Sequence, residues 1–354
     1  MEKPQTLLLF LVFLTIGAST VTASSLEHRH HVGGVLSKTK LFVFGDSYAD
    51  TGNNVKSSAS SWKVPYGISF PGRPSGRWSN GRVFTDYFAS FLGIRSPIPY
   101  KWRKIGSKLI PFGMNFAYGG TGVFNTLVPE HNMTAQIDLF QQVISTGVYT
   151  KQDLKSSIVL ASVAGNDYTT YNARNGSAKD LPAFITSVVG QLTLNLKRIY
   201  GLGVGKIAIA AIEPMGCLPE LTALSSYTKC NETANAASNF HNVLLKQAVA
   251  KLNNDTKGSP FVFLDVYSAF MTVFNSEKQG KPKFKNVLKP CCLGTSSGYS
   301  CGSVDEIGAK KYTVCKNPGS AFFWDSVHPS QHGWRSVYSV LRPSLHKIFH
   351  NMKK

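Results

Sequence analysis

The chain has 354 residues, of which 43% are hydrophobic and only 16% are charged, and its formal net charge is +19. This composition provides enough apolar side chains for a large core and excludes an intrinsically disordered protein. The positive charge favours anionic partners, such as cell-wall polymers or a membrane surface, although a basic surface that serves only solubility is the alternative. The lysines and arginines are scattered and no nucleic-acid-binding motif is present, so we expect no nucleic acid partner.

The first 23 residues have the pattern of a secretory signal peptide. Lys3 precedes an apolar run over residues 7–17, and small residues lead to Ala23. The run is short for a membrane span, and no later run reaches the roughly 20 apolar residues that a span needs. We therefore predict export to the extracellular space, with residues 24–39 as a flexible leader and 40–354 as a single domain. An N-terminal membrane anchor is the alternative.

Apolar runs alternate with amphipathic segments along the rest of the chain. The runs are near-continuous and rich in β-branched or aromatic residues, which is typical of strands covered on both faces. This alternation predicts an α/β fold with a parallel sheet of five strands and helices on both of its faces. The strands are expected at 40–44, 114–118, 157–163, 206–212 and 260–267, and the helices at 81–93, 134–147, 181–200, 234–253 and 330–341.

Two long segments lack any such periodicity. Residues 56–80 are rich in glycine, proline, serine and aromatic residues, and residues 276–320 contain four cysteines. Loops of this length are usually functional or held by crosslinks.

All six cysteines lie in the second half of the chain. An even set in an exported protein predicts disulfides, and the absence of a C-x-x-C pair argues against the zinc alternative. We predict the local pair Cys217–Cys230 and expect the adjacent Cys291 and Cys292 to bond to different partners. The remaining connectivity is open.

Four N-x-S/T motifs agree with export, because such asparagines accept N-linked glycans in the secretory pathway. They are Asn132, Asn175, Asn231 and Asn254.

A serine follows the first predicted strand directly. In parallel sheets ligands bind beyond the carboxyl ends of the strands, where Gly45 permits a sharp turn and Ser47 could face the crevice. A serine needs a base to become a good nucleophile. Asp325 and His328 stand three residues apart near the C-terminus, a spacing that allows the carboxylate to orient the imidazole. The alternatives are a helix cap at Asp46 or Ser47 and a structural histidine.

Donors for an oxyanion follow the next two predicted strands. The segment after 114–118 contains Gly119 and Gly120, and the segment after 157–163 contains Asn166, whose side-chain amide is a donor. Three successive strand ends thus offer serine, glycine and asparagine.

Four segments, taken in order, resemble the conserved blocks of the GDSL esterases/lipases of the SGNH hydrolase superfamily. They are FVFGDSYADTGNN, NFAYGGTGV, AGNDY and FFWDSVHPS, and PMGCLP resembles the plant branch in particular. The resemblance extends from about residue 40 to about residue 345. It implies a three-layer α/β/α fold of flavodoxin type.

The resemblance also implies a role for each candidate residue. Ser47 would be the nucleophile, His328 the base and Asp325 its orienter. The oxyanion hole would consist of the Ser47 N–H, the Gly120 N–H and the Asn166 amide, with Gly119 as the alternative to Gly120.

The sequence therefore predicts a secreted serine hydrolase that cleaves carboxylic esters through an acyl-enzyme, without a cofactor or a metal. Acyl lipids, acetylated polysaccharides and small esters all fit this chemistry. A non-catalytic wall- or carbohydrate-binding protein is the alternative, and Asp325, His328 and His332 have a spacing that could also hold a metal ion.

Three further motifs are set aside. Residues 294–298 and 298–302 both match G-x-S-x-G, but neither has a strand before it and a helix after it. Residues 201–206 resemble a dinucleotide loop, but their glycines follow a helix and open a strand.

Overall fold

The structure is a computed structural model that describes residues 39–279 and 283–350. The predicted signal peptide and all but one residue of the predicted leader lie outside the described residues.

The centre of the molecule is a parallel sheet, as predicted, but it has six strands and not five. Its spatial order is β2-β3-β1-β4-β5-β6, and in register Val43 of the central strand lies between Asn115 and Leu160. The strand that sequence analysis missed is β2, which has only two residues and lies at the sheet edge. Pro99 in this strand has no backbone N–H to donate to a neighbouring strand. Proline is tolerated at sheet edges, where one side of the strand has no partner. The strands are β1 (Leu41–Gly45), β2 (Ile98–Pro99), β3 (Gly113–Asn115), β4 (Ile158–Ser162), β5 (Lys206–Ala210) and β6 (Phe261–Leu264).

All five predicted helices are present, together with others that sequence analysis did not predict. One of these is α4, a polar helix without a clear apolar stripe. The last helix continues through Pro343, beyond its predicted end at 341. The helices are α1 (Phe84–Phe91), α2 (Met133–Ser145), α3 (Lys151–Lys155), α4 (Gly165–Ala173), α5 (Leu181–Gly201), α6 (Pro219–Thr222), α7 (Glu232–Asn254), α8 (Val266–Gln279) and α9 (Gln331–His350).

Helices cover both faces of the sheet, which gives the three-layer α/β/α arrangement of flavodoxin type. Because strand side chains alternate between faces, Leu41 and Val43 pack against α1, α8 and α9. Phe42 and Phe44 pack on the other face against α2, α5 and α7. Both faces of β1 are buried, which explains its unbroken apolar sequence.

The six cysteines form three disulfides. The predicted bond Cys217–Cys230 is confirmed, and Cys291 and Cys292 do bond to different partners, Cys315 and Cys301. The last two bonds hold an antiparallel pair, β7 (Cys292–Gly294) and β8 (Tyr312–Val314), outside the main sheet.

This crosslinked hairpin braces the segment that precedes Asp325. The N–H groups of Cys291 and Cys292 donate to the carbonyls of Phe323 and Trp324 at 3.1 and 2.7 Å.

Within the described part of the chain, no helix is both long and apolar enough to span a bilayer.

Candidate active site

Ser47 lies in a tight turn at the carboxyl end of β1. The turn passes so close to β4 that a Cβ atom on Gly45, which has a φ of +146°, would lie 1.9 Å from the carbonyl oxygen of Ser162. Only glycine fits there. The Asp46 carboxylate accepts the Tyr48 N–H at 3.0 Å, which fixes the turn around Ser47.

The structure brings Ser47, His328 and Asp325 together in one hydrogen-bonded chain. The Oγ atom of Ser47 lies 2.8 Å from Nε2 of His328. The Nδ1 atom of His328 lies 2.9 and 2.8 Å from the two carboxylate oxygens of Asp325. All three side chains are buried, with exposed fractions of 7%, 8% and 5% for Ser47, His328 and Asp325.

The turn over residues 325–328 is held by hydrogen bonds among its own residues and Trp324. Oδ1 of Asp325 accepts the N–H groups of Val327 and His328 at 2.9 and 2.7 Å. The Trp324 N–H donates to the His328 carbonyl at 2.7 Å. Burial of the Asp325 carboxyl opposes its ionisation, but the adjacent His328 and these N–H donors outweigh burial and lower its pKa.

The loop over residues 56–80 supplies two contacts that sequence analysis did not predict. The Tyr66 hydroxyl donates to Oδ2 of Asp325 at 2.7 Å and is buried. Burial, followed by the nearby Asp325 charge, raises the pKa of this phenol, so Tyr66 stays protonated and able to donate. The Trp78 ring stacks on the His328 ring with centroids 5.1 Å apart. The aromatic content of this loop was the only sequence signal for these contacts.

The two candidate glycines differ in what their N–H groups bind. The Gly119 N–H already donates to Oδ1 of Asn54 at 2.8 Å and to Oδ2 of Asp50 at 3.2 Å. The N–H groups of Gly120 and Ser47 have no acceptor among the described residues. This pattern favours Gly120 over Gly119 as a donor to a bound ligand.

Asn166 lies in the first turn of α4. One hydrogen of its amide group is donated to the Thr121 carbonyl at 2.9 Å, which leaves the second hydrogen for a ligand. Ala164, just before the helix, has a φ of 112°, a conformation that residues with a side chain rarely adopt. The chain thus turns sharply where it delivers Asn166 to the cleft.

A buried aspartate, Asp50, connects the loop after β1 to the loop after β3. Its carboxylate accepts the N–H groups of Gly52, Asn53, Asn54 and Gly119 at 2.7, 2.7, 3.4 and 3.2 Å. Burial raises the pKa of Asp50 to about 6, and these donors oppose that rise. Asp50 lies in the polar run after Ser47, but nothing in the sequence indicated which N–H groups it would accept.

Two cavities meet at Ser47. The outer cleft, about 490 Å³ in volume, is lined by Ser47, Gly119, Gly120, Asn166, Trp78 and His328 among others. The inner cavity, about 170 Å³ in volume, is lined by Ser47, Asn166, Tyr48, Tyr168, Glu213 and Trp334 among others.

The four predicted glycan acceptors lie at the surface. Asn175, Asn231 and Asn254 are exposed, whereas Asn132 is half-buried and its Nδ2 donates to Oδ1 of Asn125 at 2.7 Å. Asn132 and Asn231 also cap α2 and α7 through their side-chain oxygens.

The other sites that the sequence offered are not placed at the end of a strand of the main sheet as Ser47 is, or are not formed by the described residues. Both G-x-S-x-G motifs lie in the disulfide-linked region after β7 begins and not at a strand-to-helix turn. Among residues 39–279 and 283–350, no three His, Cys, Asp or Glu side chains are grouped so as to hold a metal ion.

The solved structures that match this chain do so at low TM-scores and share little sequence with it. A variant of an acetyl xylan esterase from Geobacillus stearothermophilus matches with a TM-score of 0.35 and 14% identity, covering 85% of this chain and 91% of the other. Phospholipase A1 from Streptomyces albidoflavus matches with a TM-score of 0.37 and 14% identity, covering 87% and 99%.

Sequence relatives are much closer. The family model for GDSL-like Lipase/Acylhydrolase matches residues 41–339. GDSL esterase/lipase At5g03610 from Arabidopsis thaliana is 60% identical over 311 residues, which is 87% of each chain. GDSL esterase/lipase At3g09930 from the same plant is 52% identical over 354 residues, covering 99% of this chain and 100% of the other. The chain therefore belongs to the GDSL-like lipase/acylhydrolase family, in its plant branch within the SGNH superfamily, and is a carboxylic ester hydrolase.

Proposed function

We propose that Ser47, His328 and Asp325 are a catalytic triad that hydrolyses carboxylic esters through an acyl-enzyme. The observation that carries the proposal is the continuous hydrogen-bonded chain from the Ser47 hydroxyl through both ring nitrogens of His328 to the Asp325 carboxylate.

In the resting enzyme, Asp325 holds the His328 tautomer that has its proton on Nδ1. Nε2 is then free to accept the hydroxyl proton of Ser47 as Oγ attacks the ester carbonyl carbon. The new C–O bond pushes an electron pair onto the carbonyl oxygen, and His328 becomes an imidazolium beside the Asp325 carboxylate.

The oxyanion forms where donors without an internal partner converge. The N–H groups of Ser47 and Gly120 and the second amide hydrogen of Asn166 supply three hydrogen bonds to it. Such donors are already oriented before the reaction and therefore stabilise the transition state more than they stabilise the substrate.

Collapse of the tetrahedral intermediate breaks the bond to the alcohol oxygen, which takes the proton from Nε2 of His328. Water then attacks the acyl-enzyme with His328 again as the base, and the acid leaves with Ser47 restored. Every step uses side-chain or backbone groups of this chain, so the mechanism needs neither a cofactor nor a metal.

The proposal includes export and one catalytic domain. The signal-peptide pattern, four glycan acceptors and three disulfides all suit an oxidising extracellular compartment. Residues 40–354 would be the domain, and the net charge of +19 would favour anionic wall polymers as neighbours.

The test is hydrolysis of p-nitrophenyl acetate by the purified mature protein, with covalent labelling by a serine-directed organophosphate. Ser47→Ala should abolish both turnover and label. Ser296→Ala removes the serine of a G-x-S-x-G motif and is the matched control, which should keep both. Activity that survives in Ser47→Ala, or loss in Ser296→Ala alone, contradicts the assignment. Absence of turnover and label in the unmodified protein would favour the non-catalytic binding protein.

A further inference from the structure

The two cavities at Ser47 have different access to the base. His328 lines the outer cleft, and it is not among the described residues that line the inner cavity. The leaving alcohol must take its proton from Nε2 of His328, so the alcohol part of the ester lies on the side of the outer cleft. The inner cavity, which also reaches Ser47 and Asn166, is then the place for the acyl group. This step rests on the proposed function.

Four aromatic side chains contribute to the walls of the inner cavity. Tyr48, Phe84, Tyr168 and Trp334 line it, and three of them are more than 95% buried. Flat aromatic walls suit a ring or a short chain and contribute apolar contact area.

The lining also contains carboxyl groups and no basic residue, in a chain with 38 lysines and arginines. One oxygen of the Asp46 carboxyl group accepts the Tyr48 N–H. Glu220 also lines the cavity but is exposed. Glu213, by contrast, is only 8% exposed, and no lysine or arginine forms an ion pair with it among the described residues.

The environment of Glu213 favours a ligand that donates a hydrogen bond. Burial raises the pKa of this carboxyl to about 7, despite opposition from its own backbone N–H. The Tyr48 hydroxyl donates at 2.9 Å to the Val327 carbonyl. A buried carboxyl is costly unless it accepts hydrogen bonds, so a donor in the cavity would be strongly recognised.

One buried polar group of the cavity lining, on Trp334, lacks a partner. The Nε1–H of Trp334 is buried and has no acceptor among the described residues, and the Trp334 side chain is 1% exposed. A hydroxyl can donate to a carboxyl and accept from an indole N–H, whereas an ammonium group can only donate. Glu213 and Trp334 both line this cavity, and a lining that offers an acceptor and a donor suits a hydroxyl better than a cation.

We propose that the inner cavity is the acyl site, that it selects acyl groups carrying a hydroxyl at their far end, and that Glu213 is the residue that determines this specificity. The substrate class is an ester of a short or aromatic hydroxy acid, not of a long unsubstituted fatty acid.

The test compares methyl 4-hydroxycinnamate with methyl 4-methylcinnamate, which differ only in a hydroxyl or a methyl group at the far end of the acyl group. The unmodified enzyme should show at least a tenfold higher kcat/KM for the hydroxyl ester, as expected for a hydrogen bond to a buried acceptor. Glu213→Leu should bring the ratio to about one, and Glu213→Gln, which keeps an acceptor oxygen, should give an intermediate ratio. Glu130→Gln removes a carboxylate from the outer cleft and is the matched control, whose ratio should equal that of the unmodified enzyme.

Equal kcat/KM values for the two esters in the unmodified enzyme, or an unchanged ratio in Glu213→Leu, would overturn the inference while leaving Ser47 as the nucleophile. If Glu213→Leu does not fold, binding of the two product acids to Ser47→Ala by titration calorimetry decides instead. The hydroxy acid should bind at least tenfold more tightly, and equal affinities would overturn the proposal. A Ser47→Ala variant that still hydrolyses p-nitrophenyl acetate would instead refute the proposed function.

Discussion

The nucleophile and the base of the candidate triad are held in place by different means. Ser47 lies in the turn that follows the central strand of the sheet, and this turn is tied to neighbouring strand ends by hydrogen bonds through Asp50 and Gly45. His328 stands on an irregular segment, which a disulfide-linked hairpin and the aromatic residues Tyr66 and Trp78 hold against the sheet. The nucleophile is thus positioned by the core of the fold, and the base is positioned by an added structure. Variants on each side can separate these two contributions.

The largest effect is expected on the side of the base. Asp325→Asn keeps the shape of the side chain but lets His328 adopt the tautomer in which Nε2 carries the proton. The value of kcat should fall by ~10⁴-fold. Steady-state kinetics with p-nitrophenyl acetate measure this, with circular dichroism as the control for folding. A loss smaller than tenfold would mean that Asp325 does not orient the base.

On the side of the nucleophile, Asn166→Ala removes one oxyanion donor and leaves the sheet intact. We expect kcat to fall by ~10²–10³-fold. Organophosphate labelling of the same variant is a second test of the oxyanion hole. The rate of labelling should also fall, because that reaction also develops charge on an oxygen. Near-normal turnover in a folded Asn166→Ala protein would refute its role as a donor.

Removal of the Cys291–Cys315 bond tests how the base is positioned and leaves the turn around Ser47 unchanged in sequence. The double variant Cys291→Ala/Cys315→Ala should lose about 3 kcal/mol of unfolding free energy, and kcat should fall because the segment before Asp325 loses its brace. The matched control is Cys217→Ala/Cys230→Ala, which removes a disulfide that is not part of the hairpin. Denaturant unfolding and kinetics on both variants measure the contrast. An equal loss of kcat in both would contradict a local role for the hairpin.

The inner cavity predicts a dependence of stability on pH. The folded pKa of Glu213 is about 7, above its ordinary value of 4.5. Between these values the folded protein binds a proton that the unfolded chain releases, so stability falls as pH rises through this window. Glu213→Gln lacks this proton, and its stability should therefore rise relative to the unmodified protein by about 2 kcal/mol across the window. Thermal unfolding at pH 5 and pH 7 measures the difference. A constant difference would show that Glu213 titrates normally.

The smallest effect is expected for Tyr66→Phe, which removes one of the hydrogen bonds to Asp325. The value of kcat should fall about tenfold, with KM nearly unchanged. The pH dependence of kcat should also shift, because the Asp325–His328 pair loses a donor, whereas a purely structural loss would leave the profile in place. An unshifted profile would assign Tyr66 to packing alone.

The sequence was sufficient for most of the fold, because buried strands and amphipathic helices leave periodic patterns. It failed at β2, which is too short for any pattern, and at α4, whose polar sequence has no apolar stripe. The meeting of Ser47, Asp325 and His328 could be anticipated, because these residues belong to recognisable sequence segments. Tyr66, Trp78, Asp50 and Glu213 were not predictable, because each depends on contacts across loops that only three-dimensional packing defines.

If the protein is exported and uses the proposed triad, the hairpin that holds the segment before Asp325 would also make activity depend on the compartment in which the chain folds. In a reducing compartment its thiols would stay unpaired, and the chain would carry a correctly placed serine without a firmly positioned proton acceptor. Hydrolytic power would then arise only once the chain enters an oxidising environment, which would keep intracellular esters safe during biosynthesis.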